Sequence, residues 1–360
     1  MSDQIIKTLL FSSLITFIAT PVVLKIALLL NLVDNPKIRN HPAHTHKGII
    51  PRAGGIALFI GIFLPLFFLL PQTKALLGIF LGGLVLVIIG ILDDRPKELS
   101  PYLRLFLIFI AAGLAIAGGV GIPFITNPMG GVINLDTLRI SFNFFGPHSI
   151  LPIADIFAFL WIVWAMTFVG WSGGVDGQLP GFVSVAAIVI GLISFRFTAS
   201  DQSQFIPTTL AFLTAGSYLG FLPWNFYPQK IMPGYGGKTL AGYMLAVTSI
   251  LSSSKLGTSI MVLGLPLIDA LFMVISRLLS KKSPVWGSGN HLHHKLLQIG
   301  WGRRRIAVFY IFISSIMGIF ALVLESKQKF FVFILLFILT MMFFLWVNLI
   351  SRFKNIEEEY

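Results

Sequence analysis

Residues 82–105 read GGLVLVIIGILDDRPKELSPYLRL. An apolar run stops at Asp93-Asp94, a basic stretch follows (Arg95, Lys97, Arg104), and the chain then turns apolar again. The first half predicts a membrane helix that delivers two adjacent carboxylates to a water interface. Carboxylates beside cations suit Mg²⁺ and phosphate chemistry, because Mg²⁺ prefers one or two carboxylates, waters and substrate phosphates. A charged cap that anchors a helix end at the membrane boundary is the plainer alternative for the same residues.

The composition outside this stretch agrees with a membrane setting. The 360 residues are 56% hydrophobic and 11% charged, against roughly 25% charged in a soluble domain. Mean hydropathy is +0.88. Several apolar runs reach the ~20 residues that a spanning helix needs. The fold class is therefore an all-α polytopic membrane protein, one integral membrane domain over residues 1–360. Eleven spans are predicted, at about 5–31, 53–72, 75–92, 103–121, 152–170, 178–196, 206–224, 239–253, 257–279, 306–324 and 330–351. The first follows a single Lys7 without a clear small-residue cleavage site, so it reads as a retained helix. Segment 122–151 is rich in Gly, Pro and Asn, with alternating stretches such as VINLDTLRISFNF, and predicts a small β-hairpin. There is no cysteine, which excludes thiol chemistry.

The net charge of +12 raises the question of nucleic acid, but its distribution follows the positive-inside rule. With the N-terminus outside, the cytoplasmic segments hold 18 Lys and Arg and the outer segments 7. The expected location is the plasma (inner) membrane, multi-pass, C-terminus in the cytoplasm, with the bilayer and no nucleic acid as partner. Under this layout Asp34, Asp93, Asp94, Glu98 and Asp176 face inward, with Asp269 inside a span. An ionisable group at membrane depth is functional or paired by default, and Asp269, three residues after Pro266, is expected to brace a broken helix or orient an active-site group. Six of seven histidines are also inner: His41, His44, His46, His291, His293 and His294.

Three inner loops carry candidate chemistry. GWSGGVDG at 170–177 presents Asp176 among glycines, or is a tight turn with a polar tip. NFYPQKIMPGYGGKT at 225–239 has glycine pairs able to form an anion-binding backbone nest, with Lys230 or Lys238 as cation, or is a connector. It lacks the spacing of a Walker P-loop. KKSPVWGSGNHLHHKLLQIGWGRRR at 281–305 contains a short amphipathic helix, HLHHKLL, whose His291, His293, His294 and Lys295 form a donor cluster for a pyrophosphate. A zinc site shared with His41, His44 and His46 is the rival, though no cysteine helps and the spacing fits no zinc motif.

In order along the chain, PRAGGIAL at 51–58, GILDDRPKELSPYLRL at 90–105, GGVDG at 173–177, NFYP at 225–228, PLID at 266–269 and HLHHKLLQIGW at 291–301 resemble the polyprenyl-phosphate N-acetylhexosamine-1-phosphate transferase family. That family includes phospho-N-acetylmuramoyl-pentapeptide transferase and undecaprenyl-phosphate N-acetylglucosamine-1-phosphate transferases; the eleven-span layout looks more like the latter. The resemblance implies transfer of a sugar-1-phosphate from a UDP-sugar to polyprenyl phosphate, releasing UMP, for cell-wall or surface-polysaccharide synthesis. It implies Mg²⁺, with Mn²⁺ as the alternative ion, held by Asp93 and Asp94. Asp93, Asp94 and Asp176 would be catalytic. Lys47, Lys97, Arg104, Asn225, His291, His293, His294 and Lys295 would bind substrate, and a homodimer is compatible with it.

The sequence departs from the family pattern. In the family's Asn-x-x-Asp-Gly-x-Asp-Gly motif, the Asn and first Asp fall at Gly170 and Gly173. Its Met-Gly-Asp-x-Gly-Ser segment aligns with MPGYGG at 232–237, so an Asp that is a magnesium ligand in the family falls at Gly234. The Asp frequent before the His cluster is absent at Ser288–Asn290. Besides an active, divergent transferase, the sequence is therefore compatible with a catalytically degenerate relative that binds lipid phosphate or a protein partner, and less well with a transporter.

Overall fold

The computed structural model describes residues 2–36, 48–95, 99–127, 129–143, 147–252, 255–283 and 291–357. Apolar runs become helices because a buried or lipid-facing backbone must satisfy its own polar groups. They are α1 (Ser2–Leu29), α2 (Gly54–Leu69), α3 (Lys74–Asp93), α4 (Pro101–Ala117), α5 (Pro152–Trp171), α6 (Gln178–Phe197), α7 (Phe205–Asn225), α8 (Gly234–Leu251), α9 (Lys255–Val262), α10 (Gly264–Leu279), α11 (Leu292–Gln298), α12 (Arg303–Val323) and α13 (Ser326–Glu357). Side-chain caps mark two of the starts: Thr73 Oγ1 accepts from Leu76 N–H before α3, and Ser100 Oγ accepts from Leu103 N–H before α4, where Pro101 also pre-sets the first turn.

Seven of these helices are long and apolar enough to cross a membrane, or eight if the bent pair α9–α10 counts as one span, while α2 and α4 are shorter apolar helices. The chain is a multi-pass, all-α membrane protein. The expected span at 257–279 is not one straight helix: α9 and α10 meet at 81°. The break falls at Leu263-Gly264, and Pro266 sits in the first turn of the new helix, where its missing N–H costs nothing.

The bundle is built around α6 and α7, each 78% buried over its apolar window, against 17% for the peripheral α13. α7 packs on α1, α2 and α6, and α8 on α3 and α5. The α1–α7 seam is polar inside: Ser12 Oγ donates to Leu213 O (2.7 Å), and Thr16 Oγ1 donates to Ser217 Oγ (2.9 Å), which donates onward to Leu58 O (2.9 Å). Lipid offers no hydrophobic drive between helices, so such bonds and small residues supply the association.

Segment 122–151 forms two antiparallel hairpins instead of one. β3 (Phe124–Thr126) pairs with β4 (Val132–Asn134), and β5 (Ile140–Asn143) pairs with β6 (Pro147–Ile150). A third ladder, β1 (Val33–Asp34) with β2 (Ile50–Pro51), has no signal in the sequence; it sets Asp34 opposite Ile50.

The hairpins and the 280–283 turn give a test of sidedness, since the chain has no cysteine of its own. Met129→Cys is expected to react with an impermeant thiol reagent in intact cells, and Ser283→Cys to react only after permeabilisation. The reverse pattern would invert the orientation.

Candidate functional site

Asp93 ends α3 and Asp94 is its C-cap; both are buried, 0% and 2% exposed. Buried carboxylates need partners, and two arginines supply them. Arg104, one turn into α4, places Nε on Asp93 Oδ1 at 2.6 Å, and its guanidinium lies 5.4 Å from the centre of the Tyr235 ring. Leu99 N–H donates to the same Asp93 oxygen (3.1 Å). Arg52, just before α2, donates from Nε to Asp94 Oδ1 (3.0 Å), and its other nitrogens lie 3.7 Å from Asp34 and 4.0 Å from Asp93. Asp94 Oδ1 also accepts the Tyr235 N–H (3.1 Å), so this carboxylate sits on the N-terminus of α8, where the helix dipole favours negative charge. Burial pushes the Asp94 carboxyl up to about 7, against the pull of the Arg52 guanidinium and the Tyr235 N–H, with Asp93 adding to the rise.

Asp176 is buried in the loop between α5 and α6. Its Oδ2 accepts from Gln229 N–H (3.3 Å) and lies 3.7 Å from Arg303; its Oδ1 accepts no hydrogen bond among the described residues. Asn225 holds this loop to the next one. Its Oδ1 accepts Gly177 N–H (3.0 Å) and its Nδ2 donates to Ile231 O (2.9 Å) and Gln229 Oε1 (3.1 Å). Asn225, expected to bind substrate, joins the two loops through its amide.

Asp269 is fully buried in α10. It takes Leu292 N–H on Oδ1 (3.0 Å), at the start of α11, and faces His291 Nδ1 through Oδ2 (3.1 Å). It orients the histidine helix, as its membrane depth predicted. The rings of His291 and His293 are parallel at 5.7 Å, and that of His294 lies 4.3 Å from His293. Burial holds the His293 imidazole well below its usual range, with repulsion from His294, His291 and Lys238 adding to it. Lys295, expected to bind substrate, lies beside two aromatic rings. It is buried, with Nζ 5.3 Å from the Phe272 ring centre and 5.8 Å from that of Phe344, between α10 and α13. Lys47 and Lys97, also expected to bind substrate, and His41, His44 and His46 lie outside the described residues.

The glycine pairs of 225–239 do not form a free phosphate nest. Gly236 and Gly237 lie inside α8, where their backbone meets that of Gly55 and Gly90 at distances that leave no room for a Cβ. Gly234 has φ +68°, and a Cβ there would strike the Arg52 carbonyl and the Asp94 carboxylate. A carboxylate cannot be restored at this position without moving both. The donor set therefore fits Mg²⁺ only as a pair, Asp93 with Asp94. Among the described residues no group of three His, Asp or Glu converges on a metal position.

Arg52, Tyr235 and Arg303 were missed by the sequence reading. Arg52 stands inside PRAGG and was legible only as part of a motif, since Asp34 and Asp93-Asp94 lie far from it along the chain.

The glycosyl transferase family 4 profile matches residues 76–253. The chain is 30% identical over 338 residues to the decaprenyl-phosphate N-acetylglucosaminephosphotransferase of Mycobacterium leprae (strain TN), covering 85% of this chain and 80% of the relative. It is 28% identical over 344 residues to the probable undecaprenyl-phosphate N-acetylglucosaminyl 1-phosphate transferase of Bacillus subtilis (strain 168), covering 93% and 89%. It is 27% identical over 368 residues to the undecaprenyl-phosphate alpha-N-acetylglucosaminyl 1-phosphate transferase of Escherichia coli (strain K12), covering 98% and 91%. A many-helix membrane bundle with this family profile defines a membrane glycosyl-1-phosphate transferase fold. The chain belongs to the polyprenyl-phosphate N-acetylglucosamine-1-phosphate transferase family.

Two stability outcomes follow from the site. Arg52→Met strips counter-charge from buried carboxylates, and breaking such a pair costs about 3–5 kcal/mol. The melting temperature in detergent is expected to fall by many degrees, with Asp34→Asn in the same chain recovering part; an unchanged value would show the pair to be dispensable. Gly234→Ala combines a left-handed backbone, about 1–3 kcal/mol, with the clash against Arg52 and Asp94, and is expected to lower both yield and melting temperature.

Proposed function

We propose that this chain transfers N-acetylhexosamine-1-phosphate from a UDP-sugar to polyprenyl phosphate at the cytoplasmic face of the plasma membrane, with the N-terminus outside and the C-terminus inside. The observation that carries this reading is the buried Asp93-Asp94 pair at the end of an apolar helix, tied to the start of α8, in a chain whose relatives are polyprenyl-phosphate N-acetylglucosamine-1-phosphate transferases. In this reaction an oxygen of the lipid phosphate attacks the sugar-bearing phosphorus of the donor. The bond from that phosphorus to the bridging oxygen breaks, and UMP leaves. Asp93 is the base for any proton remaining on the attacking phosphate, and Arg104 fixes its orientation. Asp93 and Asp94 would hold Mg²⁺, or Mn²⁺ in its place; the ion, when bound, neutralises phosphate charge. His291, set by Asp269, and the neutral His293 would donate or accept hydrogen bonds at the diphosphate. Asp176 lies where the nucleotide is expected by resemblance.

A second reading, a family member that binds lipid phosphate without turnover, has its own observation: Arg52 and Arg104 already occupy the carboxylates that a divalent ion would need.

The test is UMP release from purified protein with polyprenyl phosphate, Mg²⁺ and several UDP-sugars. Wild type is expected to release UMP, and Asp94→Asn to lose turnover by a factor of about 100 or more, as removal of a group that stabilises transition-state charge does. No UMP from any donor, with lipid phosphate still bound, would establish the second reading. Turnover unaffected by Asp94→Asn would put the chemistry on other residues.

A further inference from the structure

Lys238 stands in the second turn of α8, partly buried. Among the described residues it makes no hydrogen bond and no ion pair. Its cationic neighbours are engaged: Arg52 with Asp94, Arg104 with Asp93, Arg303 with Asp176, and Lys230 on the Trp224 ring at 5.1 Å. A partly buried ammonium that makes no hydrogen bond is costly, so a site that keeps one has a use for it.

The surroundings indicate that use. Lys238 is within electrostatic reach of Asp94, Asp34 and Arg52 on one side and of His293 on the other. It therefore stands between the carboxylate pair and the histidine helix. Its stem runs along the 170–177 loop where that loop has no side chains: a Cβ at Gly170 would lie 3.8 Å from Lys238 Cβ, and one at Gly173 would lie 3.4 Å from Lys238 Cε. Gly174 is pressed against the His293 ring in the same way. The lysine thus borders the loop backbone, with the His293 imidazole within electrostatic reach; burial, with Arg52 adding to it, lowers its ammonium to about 8, while Asp94 and Asp34 oppose the fall. A diphosphate suits that position: it carries two negative charges, and lysine serves phosphate as a point charge needing no fixed orientation.

We propose that Lys238 is the fixed cation that receives the diphosphate of the nucleotide-sugar donor, so that donor binding does not require a divalent ion. The inference rests on the transferase reading above and assigns this lysine a role in it. Mg²⁺ is then left to Asp93 and Asp94 on the lipid-phosphate side, and the donor is captured by protein charge alone.

The test is binding of UDP-N-acetylglucosamine, and of UDP, to the full chain in nanodiscs by calorimetry, once with Mg²⁺ and once in excess EDTA. Wild type is expected to bind in EDTA within a few-fold of its Mg²⁺ affinity. Lys238→Met is expected to lose about tenfold or more in EDTA, the scale of one charge-assisted phosphate contact, and Lys238→Arg to recover part of it. Uridine, which has no phosphate, is expected to bind wild type and Lys238→Met alike, which separates a lost charge from a damaged fold. Wild-type binding that vanishes in EDTA while UMP is still released with Mg²⁺ overturns this inference and leaves the transferase reading intact. The wild-type arm decides this even where Lys238→Met does not fold. Equal binding by wild type and Lys238→Met in EDTA also overturns it. No donor binding with or without Mg²⁺, together with no UMP, removes both.

Discussion

The guanidinium of Arg52 holds together segments that the chain keeps far apart. It faces Asp94 at 3.0 Å, Asp34 at 3.7 Å and Asp93 at 4.0 Å. The Arg52 backbone N–H donates to Leu32 O (3.0 Å), and the next turn of backbone is tied to the α8 loop through Gly54 N–H to Met232 O (3.0 Å) and Gly55 N–H to Pro233 O (2.8 Å). One side chain and its neighbouring amides thus join the β1–β2 ladder, the end of α3 and the start of α8. Two adjacent carboxylates cannot be buried at a helix end without such cations, because each ionised group would lose its hydration with nothing in return. The arrangement has a direction too: Asp94 serves as the anion at the N-terminus of α8, so the group that suits phosphate chemistry also sets the helix behind it.

Contacts between helices make that fixed geometry reachable. In a bilayer, helices associate through close packing and interhelical hydrogen bonds. Here Gly55 meets Gly237 and Gly90 meets Gly236, bringing α2, α3 and α8 backbone to backbone beneath the site. The Tyr218 hydroxyl donates to Gly237 O (2.7 Å), adding α7 to the same junction. The polar α1–α7 seam continues the pattern toward the other end of the bundle. The site is thus carried on packed helix ends, which position charged groups more tightly than free loops do.

Much of this was readable from residue order. Long apolar runs announced the helices. The stop at Asp93-Asp94 announced an interface with carboxylates on it, and HLHHKLL announced the short α11. Periodicity does not reveal direction. The run at 257–279 is apolar enough to read as one span, yet it turns by 81° at Leu263-Gly264, because a hydropathy window cannot see where a helix restarts. The partners of charges are equally hidden: Arg52 finds Asp34 through a two-residue ladder that carries no alternation of its own, and Lys295 turns toward Phe272 and Phe344 although it neighbours three histidines. That Asn225 ties two loops together is likewise invisible in the sequence, because it depends on which backbone groups lie within 3 Å of its amide.

The glycines at the departures from the family pattern have a common explanation in packing. A site losing function by drift would exchange side chains for empty space, and buried voids forfeit contacts that cost stability. Here each small residue has something against it. A Cβ at Gly170 or Gly173 would meet the Lys238 stem at 3.8 and 3.4 Å, the neighbouring Gly174 is covered by the His293 ring, and Gly234 is closed in by Asp94 and the Arg52 carbonyl. Lys238 and Tyr235 occupy the start of α8 together, Tyr235 giving its N–H to Asp94 and its ring to Arg104. The Lys238 stem lies along the facing loop at Gly170 and Gly173, where that loop carries no side chain. The packing of these glycines rests on the same Arg52–Asp94 contact that begins α8, because Asp94 both pairs with Arg52 and accepts the Tyr235 N–H.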